Sequence, residues 1–266
     1  LGRRGVCAGD LDAILVTHEH SDHTRGVAAL SNSFGLPVYL TAGTATSKNL
    51  KTLVNKVLIS PEHVFFVGDL SIKAEPVPHD AREPVQFCFE CGDKKLGILT
   101  DLGCITRHVI NAFSDCDALM LEFNHDPKML ADSSYPKSVK LRVGGNYGHL
   151  TNHQAIGLLE ATRTDKLHTL FVAHISEQNN RLELVDAALA NWSGLHQCSV
   201  IYANQNDGYW LWGEEDNHPL SDRSYQIRID ESDVEEVLIT LLGSDGGSID
   251  KLEQQALLTI LLGNIS

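Results

Sequence analysis

Residues 18–23 read His-Glu-His-Ser-Asp-His and follow directly on 12–17 (DAILVT), a short apolar run of the kind that forms a buried strand. No other segment limits the possible folds as much, because these side chains must sit on a loop at a strand's C-terminal end. Imidazoles suit zinc and other first-row ions, while carboxylates suit harder ones, so a mixed set can hold two ions side by side. A tight loop can send His18 and His20 to one ion and Asp22 and His23 to another. Two ions need more ligands than this. Three further candidates each end an apolar run: His79 in VPHDA, Asp101 in ILTDLG and His174 in FVAHIS. Together the order is His, His, Asp, His, His, Asp, His, as expected if several strand ends converge on one edge.

The rest of the chain reads as strands in two groups with helices between them. Strands are expected at 12–17, 37–40, 64–67, 70–76, 85–90, 94–99, 118–121, 169–172, 200–203 and 209–212, and helices at 24–33, 44–55 and 182–192. A further helix starts at Thr151, which forms a capping box with Gln154 ahead of Ile156, Leu158 and Leu159. This pattern predicts a layered α/β protein rather than one doubly wound sheet.

Residues 230–266 differ. Ser232 and Glu235 make another capping box, and Val234, Val237, Leu238, Leu241 and Leu242 recur at helical spacing; after a glycine-rich break, 249–262 repeats the pattern. We therefore expect a metal-site domain over 1–229 and an acidic helical hairpin over 230–266, a possible docking element for a protein partner. Eight acids and one base in that stretch carry half of the chain's net charge of −14. Such a balance steers polyanions poorly, and Arg3-Arg4 is too short to form a nucleic-acid patch.

No apolar run approaches the roughly 20 residues of a membrane helix, and no basic-then-apolar leader opens the chain. Six dispersed cysteines do not make a disulfide scaffold and suit a reducing cytoplasm. Cys88-x-x-Cys91 has no second pair to complete a zinc site.

The ligand order resembles that of the metallo-β-lactamase superfamily, which implies an αββα four-layer sandwich with a two-metal site at one edge. By that resemblance His18, His20 and His79 hold one ion, Asp22, His23 and His174 the other, and Asp101 bridges. DAILVTHEHSDH, VPHDA, TDLG, LEFNHD, GHLTN and AHISEQNN together are similar to the YycJ/WalJ/VicX group of bacterial proteins. That likeness implies a 5′-to-3′ exonuclease acting on double-stranded DNA. Members of the superfamily carry strands and an Asp-Cys-Gly-like segment before this point, so the chain is expected to be incomplete at its N-terminus.

Two divalent ions (zinc or manganese, with iron also accepted) about 3.5–4 Å apart lower the pKa of a bridging water and clamp the oxygens of an in-line displacement. A metal-bridging hydroxide is then the expected nucleophile on a phosphodiester, with Asp22 orienting it. His149, just before a helix, is a candidate to protonate the leaving oxygen or to bind phosphate, and His125 is a candidate substrate contact. Glu122 can orient a ligand. Two other functions remain open: hydrolysis of a small cyclic phosphodiester or a thioester, and a non-catalytic regulatory role.

Overall fold

The computed structural model describes residues 7–203 and the backbone of three further strands. In chain order the elements begin β1 (Ala13–Leu15), α1 (Ser21–Thr24), α2 (Val27–Phe34), β2 (Val38–Thr41), β3 (Lys56–Ile59), β4 (Val64–Val67), β5 (Leu70–Pro76), β6 (Val85–Cys91) and β7 (Lys94–Leu99). They continue with α3 (Arg107–Ala112), β8 (Ala118–Glu122), α4 (Pro127–Asp132), α5 (Lys137–Val143), α6 (Asn152–Ala161), β9 (Thr169–Ala173), α7 (Leu182–Leu189) and β10 (Ser199–Tyr202). The last three strands are β11 (Ser224–Glu231), β12 (Glu236–Ser244) and β13 (Leu257–Gly263). The chain divides into two units. One takes in the residues up to Ile59, Phe65–Ser71 and the three C-terminal strands; the other takes in Ser60–Val64 and Ile72–Ala203.

The first unit is built on a sheet ordered β11-β12-β13-β1-β2-β3. β1 pairs in parallel with β2 on one side and with β13 on the other, and all three of its residues are buried. A strand covered on both faces shows no polar alternation, which explains the unbroken run Ala13-Ile14-Leu15. Val27 and Ala28 of α2 pack into a core with Ile14, Val16, Val38, Leu40 and Leu50. Burying each large aliphatic side chain contributes about 1.5–3 kcal/mol. Gly35 ends α2 at φ 72°, a left-handed position that a side chain would strain.

Two expectations are corrected here. Residues 44–55 are not an α-helix but two short 3₁₀ turns, Thr44–Thr46 and Lys48–Leu50. Their hydroxyls compete for local partners: Thr46 Oγ1 donates to the Gly43 carbonyl at 2.6 Å, and Thr41 Oγ1 accepts from Thr44 N–H at 3.3 Å. The acidic tail is not a helical hairpin either. Its apolar runs form β12 and β13, which pair antiparallel, with β13 in parallel register on β1 (Ile14 opposite Thr259). Six-residue apolar runs containing Ile and Thr fit a doubly covered strand as well as a helix face, and a neighbouring parallel strand decides between them. The helical face suggested for a protein partner is therefore absent from these strands. The strand expected at 209–212 lies outside the described residues.

The second sheet is ordered β10-β9-β8-β7-β6-β5-β4. β6 and β7 form an antiparallel hairpin closed at Gly92, whose φ is 58°. β7, β8, β9 and β10 then run parallel, in registers that set Leu96 against Ala118 and Thr169 against both Ala118 and Ser199. Val109 and Phe113 around α3, Leu158 and Leu159 of α6, and Val185 and Leu189 of α7 pack with Leu99, Leu121 and Val172 of those strands. The capping box of α6 forms as expected: Thr151 Oγ1 accepts from Gln154 N–H at 3.1 Å, and Gln154 Oε1 accepts from Thr151 N–H at 2.9 Å. Because neighbouring strands point the same way, their C-terminal ends share one edge, where α/β proteins place ligands.

Candidate metal centre

In the first unit, β1 leads through Val16 and Thr17 into the histidine loop, and His20 sits at the N-cap of α1. Thr17, His18 and His23 are all fully buried. Thr17 Oγ1 lies 3.0 Å from His18 Nδ1 and 3.3 Å from His23 Nδ1, so one hydroxyl fixes the orientation of two rings. His18 Nε2 is 3.0 Å from His20 Nδ1, and the His18 and His23 ring centres are 4.0 Å apart. Thr24 Oγ1 donates to the His20 carbonyl at 2.9 Å and itself accepts from Asn49 Nδ2 at 2.9 Å, pinning the loop. Asp22 lies at the rim, its carboxylate 3.8 Å from His23 Nε2. The loop thus brings His18, His20 and His23 together, with Asp22 beside them.

In the second unit each functional side chain follows a strand. His79 comes after β5, Asp101 after β7, Glu122 ends β8, and His174 comes after β9. Asp101 and His174 have φ of 50° and 55°. Left-handed backbone at a non-glycine residue costs on the order of 1–3 kcal/mol, and the chain holds it where it turns off the parallel strands. Asp101 Oδ1 lies 3.5 Å from His174 Nε2, 3.9 Å from His79 Nε2 and 3.8 Å from His149 Nδ1. Ligand atoms of Asp101, His149 and His174 all lie within 4.8 Å of one another.

Glu122 organises this set from beneath. Its Oε1 accepts from Leu102 N–H at 2.5 Å, while Oε2 lies 3.1 Å from His149 Nδ1 and 3.4 Å from His174 Nδ1. Burial raises its pKa, but the N–H groups of His149 and His174 outweigh that and hold it below the usual carboxylate range. Asn124 Nδ2 donates to the His174 carbonyl at 3.2 Å. The orienting role read for Glu122 from sequence thus has a geometric basis, whereas Thr17 and Asn124 carry no signal by which sequence could have singled them out.

His149 joins the cluster around Asp101 and keeps part of its ring exposed. His125 does not join. It is 1% exposed, its Nδ1 is 3.3 Å from Asn124 Oδ1, and its carbonyl accepts from Asn152 N–H. Burial first, and the charge of His149 second, push its pKa down to about 4. It is therefore neutral near pH 7 and offers no charge to a phosphate.

The donor set fits a divalent cation. His79 Nδ1 lies 3.2 Å from the Gly148 carbonyl, which can only accept, and His174 Nδ1 lies beside an ionised carboxylate. The His79 ring therefore donates from Nδ1, and in that neutral tautomer its Nε2 carries the lone pair, while His174 Nδ1 lies between Glu122 Oε2 and Asn124 Nδ2, the latter at 3.3 Å. Nε2 of His174 lies 3.5 Å from Asp101, and Nε2 of His79 lies between Asp80 at 3.4 Å and Asp101 at 3.9 Å. Imidazole nitrogens and carboxylate oxygens converging within 4.8 Å of one another, as those of Asp101, His149 and His174 do, make a donor set that suits a divalent cation.

Residues 4–175 match the family described as Beta-lactamase superfamily domain. The chain is 34% identical over 181 residues to the exodeoxyribonuclease YycJ of Bacillus anthracis, covering 66% of this chain and 68% of the relative. It is 32% identical over 188 residues to the exodeoxyribonuclease WalJ of Streptococcus pneumoniae, covering 68% and 70%. Among solved structures it resembles the metallo-β-lactamase fold protein YhfI of Bacillus subtilis, with a TM-score of 0.56 at 18% identity over 74% of this chain and 77% of that one. The fold class expected from the ligand order is the one found. With its histidines and carboxylates gathered at strand ends, the chain belongs to the metallo-β-lactamase superfamily, as a metal-dependent hydrolase of the YycJ/WalJ kind.

Proposed function

We propose that this protein hydrolyses phosphodiesters in duplex DNA with two divalent ions, removing nucleotides from a 5′ end. The observation that carries the reading is Asp101 Oδ1, faced by Nε2 of both His79 and His174. The exodeoxyribonuclease names of the relatives supply the substrate class. By the ligand order, His18, His20 and His79 serve one ion, Asp22, His23 and His174 the second, and Asp101 both. The mixed nitrogen and oxygen donors suit zinc or manganese. Divalent ions bound to such residues supply Lewis-acid stabilisation of phosphoryl charge and a nucleophile at neutral pH.

The chain's own residues do the rest. Asp22 orients the attacking oxygen and accepts its proton. His149 Nδ1 lies 3.1 Å from Glu122 Oε2, a contact that orients the ring and leaves Nε2 to donate a proton to the departing oxygen. The products are a phosphate monoester and a free hydroxyl. All six cysteines are free, which suits the cytoplasmic location we propose. Among the described residues no helix is long and apolar enough to cross a membrane.

The net charge of −14 favours a second reading, a small phosphodiester as substrate. Full-length protein with Mn²⁺ or Zn²⁺, assayed on 5′-labelled duplex DNA and on bis(p-nitrophenyl) phosphate, separates the two. The DNA reading expects both to be cleaved by the wild type and neither by Asp101→Ala. Cleavage of the small ester alone would assign the small-molecule reading instead.

A further inference from the structure

We propose that Tyr147 is the platform on which the terminal base of the DNA stacks, and that Lys137 and Arg142 of α5 hold the phosphates of the same strand. The proposal rests on the DNA reading above and adds to it the element that grips the substrate.

The first observation is charge. From Ser133 to Leu159 the chain contains no Asp or Glu, yet it carries Lys137, Lys140 and Arg142, in a protein whose net charge is −14. This is the stretch that leads into His149. Lys137 and Arg142 are exposed, and a single guanidinium contact, from Arg142 Nη1 to Asp80 at 3.2 Å, ties α5 to the residue after His79. Arginine has five N–H donors, so the others can serve a phosphate. Lys140 instead donates to the Ala131 carbonyl at 2.6 Å and fixes α5 against the end of α4.

The second observation is an aromatic ring presented on a turn with no room to move. Tyr147 is 64% exposed. Around it Gly148 N–H donates to the Gly145 carbonyl at 2.9 Å, and His149 N–H donates to the Val143 carbonyl at 2.8 Å. A Cβ on Gly148 would lie 2.1 Å from the Val143 carbonyl oxygen, and one on Gly103 would lie 2.4 Å from the Tyr147 Cα. The turn is thus seated against the loop that follows Asp101, and its neighbour Gly148 accepts from His79. Tyr147 is two residues from His149, at most about 7 Å along the backbone. The Cα atoms of Tyr147 and His149 therefore lie within about one nucleotide's length of each other. A ring carried on a held backbone turn leaves less chain to order on binding, and every base offers it a π-face whatever the sequence.

The test compares KM and kcat on a duplex with an intact 5′-terminal nucleotide and on the same duplex with that nucleotide abasic. In the wild type, loss of the base should raise KM roughly tenfold, within the range of one base–aromatic stack. Tyr147→Ala should raise KM on the intact duplex by a similar factor and show no further rise on the abasic one. Tyr147→Phe should keep the wild-type discrimination, and Tyr147→Leu, which preserves bulk without a π-face, should lose it. Lys137→Ala should lower the slope of log KM against log salt by about 1 and leave the discrimination intact. Discrimination that survives in Tyr147→Ala and Tyr147→Leu, or losses that multiply to about a hundredfold, would overturn the stacking role alone. A wild type that cleaves bis(p-nitrophenyl) phosphate through Asp101 but neither duplex would remove the DNA reading and this proposal together.

Discussion

The two sets of candidate ligands are held in place by different means. In the first unit His18, His20 and His23 lie within six residues of chain, and a single hydroxyl, that of Thr17, orients two of the rings. In the second unit His79, Asp101, His149 and His174 come from four separate turns and meet because β7, β8 and β9 are parallel neighbours. There the orienting group is Glu122, a fully buried carboxylate that touches two of the histidines and a backbone N–H. The first set rests on local sequence, and the second rests on the tertiary fold and one ionised group. Damage to the second should therefore spread further than damage to the first.

The largest effect is expected from the shared carboxylate. Asp101→Ala should lower hydrolysis on the order of 10³-fold or more, read as kcat on bis(p-nitrophenyl) phosphate, since it removes the group both Nε2 atoms face. Glu122→Gln comes next. It keeps the shape but withdraws the charge from His149 and His174, and should weaken metal binding and kcat by roughly 10–100-fold. Competition with a fluorescent chelator measures the first quantity. Thr17→Val is the counterpart in the local set. It should weaken metal binding by about tenfold at most, and Thr17→Ser should restore it. A Thr17→Val loss larger than that of Glu122→Gln would reverse the comparison.

The smallest effect concerns His125, which stands outside both sets. Its pKa is about 4 in the folded protein against 6.5 unfolded, so the folded state favours the neutral ring. That contribution is fully present above pH 6.5 and is lost as pH falls toward 4. It amounts to at most about 3 kcal/mol. Denaturant midpoints measured from pH 7 to 4 should fall less steeply in His125→Phe than in the wild type.

The candidate ligands could be nominated from sequence because several stand beside an apolar run that must be a strand: His18 after 12–17, Asp101 after Ile98 and Leu99, His174 after 169–173. Which strands are neighbours is a tertiary fact, so the sequence could nominate Asp101 and His174 without showing that Glu122 lies between their histidine partners. The left-handed backbone at both residues left no trace either, since neither is glycine. In the tail, the runs 237–242 and 257–262 satisfy helical and extended patterns equally, and pairing with β1 settles what periodicity cannot. The acid-free stretch from Ser133 to Leu159 was visible in the sequence all along, but its importance depends on Tyr147 being exposed beside the His149 turn, which only the fold reveals.

The most direct measurement is a titration of metal-free protein with Mn²⁺, following bound ions by native mass spectrometry and, in the same samples, release of nucleotides from 5′-labelled duplex DNA. Two ions per chain are expected, with hydrolysis rising as the second binds and absent throughout in Asp101→Ala. Two ions bound with neither duplex DNA nor bis(p-nitrophenyl) phosphate cleaved would contradict the account, as would full activity with a single ion.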